Sequence, residues 1–462
     1  MSLPISPLPR VLAFLALLTA PAGGHAAAPT PANIIVILTD DQGYGDLGCY
    51  GSASIRTPHL DRMAAEGVRF TDFYSGAEVC SPSRAALLTG RYPPRSGMAG
   101  DRRVLFPNSA GGLPGAEVTL AEALKARGYA TAHIGKWHLG IRPGARPRDQ
   151  GFDRTFGLPY SNDMDARPGI TGRIRASDNP PTDGWNVPLE RDGEVVERPA
   201  VQATLTRRYT EEARRFIAEH TDRPFFLYLA HSMPHTPLFA SPEFRGRSRR
   251  GLYGDVIEEL DASTGEILDE LRRRGLAERT FVFYTSDNGP WLIEGLQGGS
   301  AGPLREGKGS TWEGGMRVPG IAWMPGRVKP AVTSVPASFL DLFPTALALA
   351  GAPAPTGVTL DGANLLPLLA EGRDLGERAY FFYRGFELFA CRLGDWKAHF
   401  QTQAGYGQPK PEAHERPLLF RLPHDPGERH ELGAAHPEVL ARIQQAVARH
   451  RAELQPGAPQ FK

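Results

Sequence analysis

Asn33-Ile34-Ile35-Val36-Ile37-Leu38-Thr39-Asp40-Asp41 is the stretch that decides the fold. From Ile34 to Leu38 it is wholly apolar and dominated by Ile and Val. A run this short and this β-branched suits a strand buried on both faces, as in the interior of an α/β sheet. It stops abruptly at Thr39-Asp40-Asp41, so polar groups collect at one end of a buried strand.

The same arrangement recurs along the chain. Tyr129 to Ile134 reads as a strand and is followed by Lys136 and His138. Phe225 to Ala230 is another, followed by His235, and Thr280 to Thr285 a third, followed by Asp287-Asn288. Helical patterns lie between them: Asp61 to Gly67, Leu120 to Arg127, Thr204 to His220, and the amphipathic Tyr253 to Arg274. Alternating helices and strands predict a large, mainly parallel sheet flanked by helices. Such sheets bind ligands beyond the carboxyl ends of their strands, where all four polar clusters fall.

After Pro325 the pattern changes. Phe339 to Ala350 reads as a helix. Short runs at Ala379 to Tyr383, Leu388 to Leu393, Trp396 to His399 and Leu418 to Arg421 then precede a helix from Pro437 to Glu453. This predicts a smaller C-terminal α+β domain, an antiparallel sheet with one packed helix, over 376–462. A larger α/β domain is expected over 29–375. Residues 1–28 read as a signal peptide, with Arg10 before the apolar run Val11 to Leu18 and a small-residue cleavage site at Ala26-Ala27-Ala28. That run is too short to span a bilayer, so the expectation is export to the periplasm or medium without stable membrane insertion. The 462 residues are 41% hydrophobic and 22% charged, with net charge +1, so no global field points to nucleic acid.

Asp40, Asp41, Asp287 and Asn288 offer only oxygen donors. Three carboxylates at one sheet edge repel one another unless a cation neutralises them. Oxygen-only donors suit Ca²⁺, with Mg²⁺ as second choice. Cys80-Ser81-Pro82-Ser83-Arg84 opens a helix, because Pro82 suits a first turn and Ala85 to Leu88 are good helix formers. Cys80 then stands at a helix N-terminus, which favours an anion. Gly298 to Gly302 fits G-x-S-x-G, but no clear strand precedes it. Gly302 to Lys308 has P-loop spacing, but Gly309 stands where Ser or Thr is needed.

The block from Asn33 to Arg91, with NIIVILTDDQGYGDLGCYG at its head and C-x-P-S-R at Cys80, resembles the type I sulfatases, most closely the arylsulfatases. The likeness continues through Gly135-Lys136-Trp137-His138 and the Gly307-Lys308-Gly309 run to at least His399. It implies the alkaline-phosphatase-like sulfatase fold and hydrolysis of sulfate monoesters. It also implies that a formylglycine-generating enzyme oxidises Cys80 to formylglycine, on the unfolded chain before or during passage through the export machinery. One hydroxyl of the aldehyde hydrate attacks sulfur; the other, once deprotonated, expels sulfate by re-forming the aldehyde.

By the same resemblance Asp40, Asp41, Asp287 and Asn288 are metal ligands, and Arg84 and Lys136 hold the hydrate. Asp287 helps deprotonate the attacking hydroxyl and His138 takes the second proton. Lys308, His235 and Ser161 meet the sulfuryl oxygens, and Lys308 with His235 can protonate the leaving oxygen. A phosphate or phosphonate ester hydrolase of the same superfamily, and a silent glycan-binding protein with unconverted Cys80, are the alternatives. His231 is not required by the family pattern, and Arg305 reads as structural or rim. Specificity is expected from a rim over Ser161 to Pro199, carrying Asp163, Asp165, Arg167, Arg173, Arg175 and Trp185. Cys49 and Cys391 could pair or remain separate thiols.

Overall fold

A computed structural model describes residues 1–4, 7, 31–100 and 102–461. The signal-peptide features at Arg10, Val11 to Leu18 and Ala26 to Ala28 lie outside these residues.

Residues 31–462 form one compact unit with two sheets. The strands of the large sheet are, in chain order, β1 Asn33–Thr39, β2 Val68–Tyr74, β3 Ala130–Gly135, β4 Arg154–Gly157, β5 Leu189–Arg191, β6 Glu194–Glu197, β7 Phe225–Ala230, β8 Thr280–Ser286, β9 Arg317–Trp323, β10 Ala331–Thr333 and β11 Ala337–Ser338. Their order is β10-β2-β9-β8-β1-β7-β3-β4-β5-β6, with β11 beside β2. The central four, β8, β1, β7 and β3, are mutually parallel.

β1 is buried along its whole length because helices cover both faces. Ile35 and Ile37 join one core, with Leu205, Tyr209 and Phe216 of the helix Leu205–Glu219 and Val256, Leu260 and Leu268 of the helix Leu252–Arg273. Ile34, Val36 and Leu38 join the other, with Ala85, Leu87 and Leu88 of the helix Cys80–Thr89 and Phe343 and Leu347 of the helix Leu342–Ala350. An apolar residue at every position is what a strand with two covered faces requires.

Two features depart from the sequence expectation. β2 and β9 were not foreseen, although they pair antiparallel within the sheet. β9 carries Pro319 and Gly320 at its centre, both poor strand residues. A register shift in β2 accommodates them, and the Tyr50 hydroxyl bonds the Gly320 N–H at 2.8 Å and carbonyl at 2.9 Å. The stretch from Arg142 to Pro199, rich in Gly, Pro, Asp and Arg, holds β4, β5 and β6, which extend the sheet edge. With 3 or 4 residues each, they are too short for periodicity to register.

The second sheet is the antiparallel β12 Ala379–Arg384, β13 Glu387–Leu393, β14 Trp396–Thr402 and β15 Glu412–Arg421. Helix Pro437–Glu453 packs on it through Val439, Leu440, Ile443 and Val447. Ala86 and Tyr92 reach the same core, so the helix that begins at Cys80 touches both sheets. Cys49 and Cys391 are separate thiols. No helix among the described residues is long and apolar enough to cross a membrane.

Candidate active site

The four polar clusters leave the carboxyl ends of the four central parallel strands. Asp40 and Asp41 follow β1, Lys136 and His138 follow β3, His235 follows β7, and Asp287 and Asn288 follow β8. Because these strands are neighbours, groups far apart in sequence meet at one edge. Asp41 and His138 both hold positive φ, 66° and 61°, a conformation disfavoured for side-chain-bearing residues. Such strain gathers where surrounding contacts over-determine the backbone.

Cys80 is the first residue of its helix, after Val79, which supplies no side-chain cap. All ten residues of this helix are buried, and Gly90 ends it at φ 66°. Cys80 Sγ lies 3.6 Å from Asp40 Oδ1. Donor atoms of Asp40, Asp41, Cys80 and His235 all lie within 4.8 Å of one another. Burial pushes the Cys80 thiol well above its ordinary range despite Lys136 and Lys308 nearby, so the unmodified thiol is protonated and a poor nucleophile.

Three cations face three carboxylates. Lys136 Nζ donates to Asp40 Oδ2 at 2.6 Å and to Ser161 Oγ at 3.2 Å. Lys308 Nζ donates to Asp41 Oδ2 at 2.7 Å. Arg84 Nε donates to Asp287 Oδ2 at 2.9 Å and its Nη1 to the Lys136 carbonyl at 2.6 Å, while Nη2 has no hydrogen-bond partner. Burial alone would raise Asp40, but the charges of Lys136, Arg84 and Lys308 hold it well below the carboxylate range. Asp41 goes the other way, pushed up by burial and by the charges of Asp40 and Asp287 beside it. Burial also raises Asp287, with Asp40 adding to it.

Both histidines are neutral, since burial drives them well below their ordinary pKa and Lys136 or Lys308 repels a second charge. Their tautomers follow from their partners. His138 Nε2 lies 2.8 Å from the Leu105 carbonyl and must carry the proton, which leaves Nδ1 with a lone pair and no partner. His235 Nδ1 lies 2.6 Å from the Thr236 carbonyl, which leaves Nε2 unprotonated at 3.5 Å from Asp41 Oδ2.

A divalent cation fits this donor set. The buried carbonyl oxygen of Asn288 has no hydrogen-bond partner, although its amide nitrogen donates to Asp41 Oδ1 at 2.7 Å. Asp41 N–H donates to Asp287 Oδ1 at 3.2 Å, so Asp41, Asp287 and Asn288 are interlocked. An orphaned amide oxygen beside three crowded carboxylates is what a hard cation neutralises. Cys80 and His235 lie nearer to Asp40 and Asp41 than a pure oxygen set suggests. Thiol and imidazole are poorer donors for such an ion than carboxylate and amide oxygens.

All eleven residues singled out from the sequence converge here, Ser161 through Lys136. His231 does not: it is buried against Ser263 Oγ at 3.4 Å, away from the carboxylates. Arg305 stacks on Trp312 at 3.7 Å and donates to the Glu428 carbonyl, a structural placement. The expected rim needs correction. Trp185 is 2% exposed and packs edge-on against Phe239 in the core, so it presents no face to a ligand. Asp165 pairs with Arg198 at 3.0 Å and Arg167 with Asp183 at 2.8 Å, so those charges are spent on the loop itself.

The aromatic at the site is Trp291, which the sequence reading missed. Its ring centroid lies 5.1 Å from that of His235, 4.3 Å from Lys308 Nζ and 4.4 Å from the Arg175 guanidinium. Trp291 closely follows Asp287-Asn288, and that proximity was the available signal. Tyr406, on the connection between β14 and β15, lies 5.7 Å from Trp291. A cavity of about 710 Å³, lined among others by Arg146, Asp149, Glu190, Asp192 and Arg198, holds none of the convergent residues, so the chemistry is not placed there.

A family model described as Sulfatase matches residues 32–352, and one described as the C-terminal region of aryl-sulfatase matches 376–462. The chain belongs to the sulfatase family. This sulfatase is 46% identical to human arylsulfatase A over 459 residues, covering 93% of this chain and 89% of that protein. It is 44% identical to human N-acetylgalactosamine-6-sulfatase, covering 95% and 89%. The solved PsFucS1 sulfatase from Pseudoalteromonas sp. is similar in fold, with TM-score 0.80 at 30% identity, over 91% of this chain and 90% of that one. The sulfatase is therefore a hydrolase of sulfate esters.

Proposed function

We propose that this sulfatase cleaves sulfate monoesters of carbohydrates through formylglycine at position 80, with Ca²⁺ held by Asp40, Asp41, Asp287 and Asn288. The observation that carries the reading is the packing of Cys80, at the head of a buried helix, against Asp40 with Lys136, Lys308 and Arg84 around it. Formylglycine supplies, as its hydrate, a nucleophile whose second hydroxyl allows sulfate to be released. The cation supplies positive charge for the sulfuryl oxygens.

The chain's own residues do the rest. Arg84, anchored by Asp287 and the Lys136 carbonyl, holds residue 80 at the helix start. Lys136 and Lys308 neutralise Asp40 and Asp41, and their charge becomes available to sulfuryl oxygens once those carboxylates engage a cation. Ser161 fixes the Lys136 ammonium. His138 Nδ1 can accept a proton from the residue-80 side. Asp287 is the carboxylate poised to assist the attacking hydroxyl. Lys308 Nζ is the donor for the leaving oxygen; His235 Nε2, unprotonated at rest, joins it as a donor only after taking up a proton.

Residues 1–28 as a signal peptide, 29–375 as catalytic domain and 376–462 as a smaller domain complete the reading, with export to the periplasm or medium and a formylglycine-generating enzyme as maturation partner. The test is to produce the protein with and without that enzyme, and to measure the mass of the peptide holding residue 80, its hydrazide reactivity and turnover of an aryl sulfate. Conversion and activity should rise together. Full activity in protein whose Cys80 is intact would remove the proposed nucleophile.

A further inference from the structure

Beyond the carboxylate cluster, on the far side of one layer of backbone, two guanidinium groups converge. Arg103 Nη1 donates to the Gly405 carbonyl at 3.0 Å, and its Nη2 reaches Glu78 Oε1 at 3.3 Å. Arg103 Nε is buried without a partner. Arg384 Nη1 donates to the Gly309 carbonyl at 3.1 Å, and among the described residues Arg384 has no ion pair. Gly309 lets the two approach. Its φ is +86°, and a Cβ there would stand 2.5 Å from Arg103 Nη2. Its N–H donates to the Glu78 carbonyl at 2.7 Å. The wall between this pair and the active site is therefore Gly309, next after Lys308, and Glu78, two before Cys80.

A cavity of about 330 Å³ opens here, lined among others by Glu78, Arg102, Arg103, Arg384 and Gln403, at the lower end of volumes that hold small ligands. Arg103 also lies 5.5 Å from the centroid of Tyr406, which faces Trp291, which faces Lys308 and His235. A continuous collar thus runs from the sulfate side of the site to the arginine pair. Like charge at close quarters is costly unless an anion answers it, and Glu78 is the one carboxylate paired with either group among the described residues. Burial and the charge of Arg103 together lower Arg384 to about 10. Paired guanidinium groups are planar forks suited to sulfate or carboxylate oxygens.

We propose that Arg103 and Arg384 form a second anion subsite, which takes a sulfate or carboxylate group on the saccharide beyond the scissile sulfate. The preferred substrates are then polyanionic saccharide sulfates that lie across Tyr406. This rests on the sulfatase reading of the neighbouring site and names its substrate class.

The experiment compares kcat/KM of the converted enzyme on a monosulfated neutral disaccharide and on the same disaccharide carrying a second sulfate or, separately, a uronate carboxylate. Wild type should favour the dianionic forms, and that preference should weaken as salt screens it. Arg384→Gln should lower the dianionic-to-monoanionic ratio by about tenfold or more through KM, the scale of a lost charged hydrogen bond. Arg384→Lys should restore part of it. A further arm measures binding of the disulfated disaccharide to Cys80→Ala protein by calorimetry, with and without Arg384→Gln. This arm reads the subsite without turnover, so failure of the catalytic reading stays separable from failure of the subsite. No wild-type preference for the second anion, or an unchanged ratio together with unchanged binding in Arg384→Gln, would overturn the proposal. The relative gain from sulfate and from carboxylate identifies the group taken.

Discussion

Lys308 Nζ and Asp41 Oδ2 lie 2.7 Å apart, with side chains 5% and 3% exposed. A buried pair so arranged is strongly destabilising to break, because the surviving charge is left uncompensated. It is also replaceable, since a divalent cation at the Asp41 carboxylate would answer the same charge.

Lys308→Met should therefore act twice. In metal-free protein it should lower stability by about 3–5 kcal/mol, the scale for a broken buried pair. Added Ca²⁺ should recover much of that in thermal unfolding. Turnover should stay about 10²–10³-fold down even with metal present, because a donor to the sulfuryl oxygens is gone. Normal turnover in the variant would detach Lys308 from the chemistry.

Asn288→Ala removes the orphaned amide oxygen and the bond to Asp41. Elemental analysis of the folded variant should show reduced divalent-metal content, and the thermal shift produced by CaCl₂ should shrink. Undiminished stoichiometric metal in this variant would take Asn288 out of the ligand set.

Trp185→Ala should change stability and leave specificity alone. The side chain is 2% exposed against Phe239, and emptying such a site costs about 3–5 kcal/mol. Unfolding should show the loss, while kcat/KM per folded molecule should move equally for an aryl sulfate and a sugar sulfate. A selective loss on the sugar would return Trp185 to the rim.

Stability should fall between about pH 4 and pH 7 through two carboxyls away from the site. Burial raises Asp261 from 3.8 to about 7 although it accepts N–H bonds from Leu60 at 2.8 Å and His59 at 3.3 Å. Glu259, accepting from Ser241 N–H at 2.9 Å, is raised from 4.5 to about 7. Between those limits the folded chain holds protons that the unfolded chain has released. Raising the pH through this window therefore disfavours the folded state, by up to about 1.4 kcal/mol per unit for each group. Urea unfolding across the range should show a shallower dependence in Asp261→Asn than in wild type; an identical slope would place the titration elsewhere.

Much of this protein was legible from its order of residues. A strand buried on two faces needs an apolar side chain at every position, and β1 announces itself by that alone. Polar residues that follow such strands must gather at one edge, because parallel neighbours end on the same side, so the sequence alone brings Asp40, Lys136, His235 and Asp287 together. The helix Pro437–Glu453 was legible at about its observed extent, with a proline in its first turn.

What only the tertiary structure decided is which side chains are free to act. Trp185 and Trp291 look alike in sequence, yet one fills a core and the other stands over Lys308, because burial depends on what packs against a residue. β9 hid behind Pro319 and Gly320, since a hydroxyl from Tyr50, distant in sequence, satisfies backbone groups there. The meeting of Arg103 with Arg384 depends on the C-terminal sheet closing over the loop that holds Gly309. Local pattern sets the strands and their polar ends, because those obey short-range periodicity. The surroundings of the site, such as Trp291, Tyr406 and the arginine pair, are built from contacts between distant segments, and these exist only once the chain has folded.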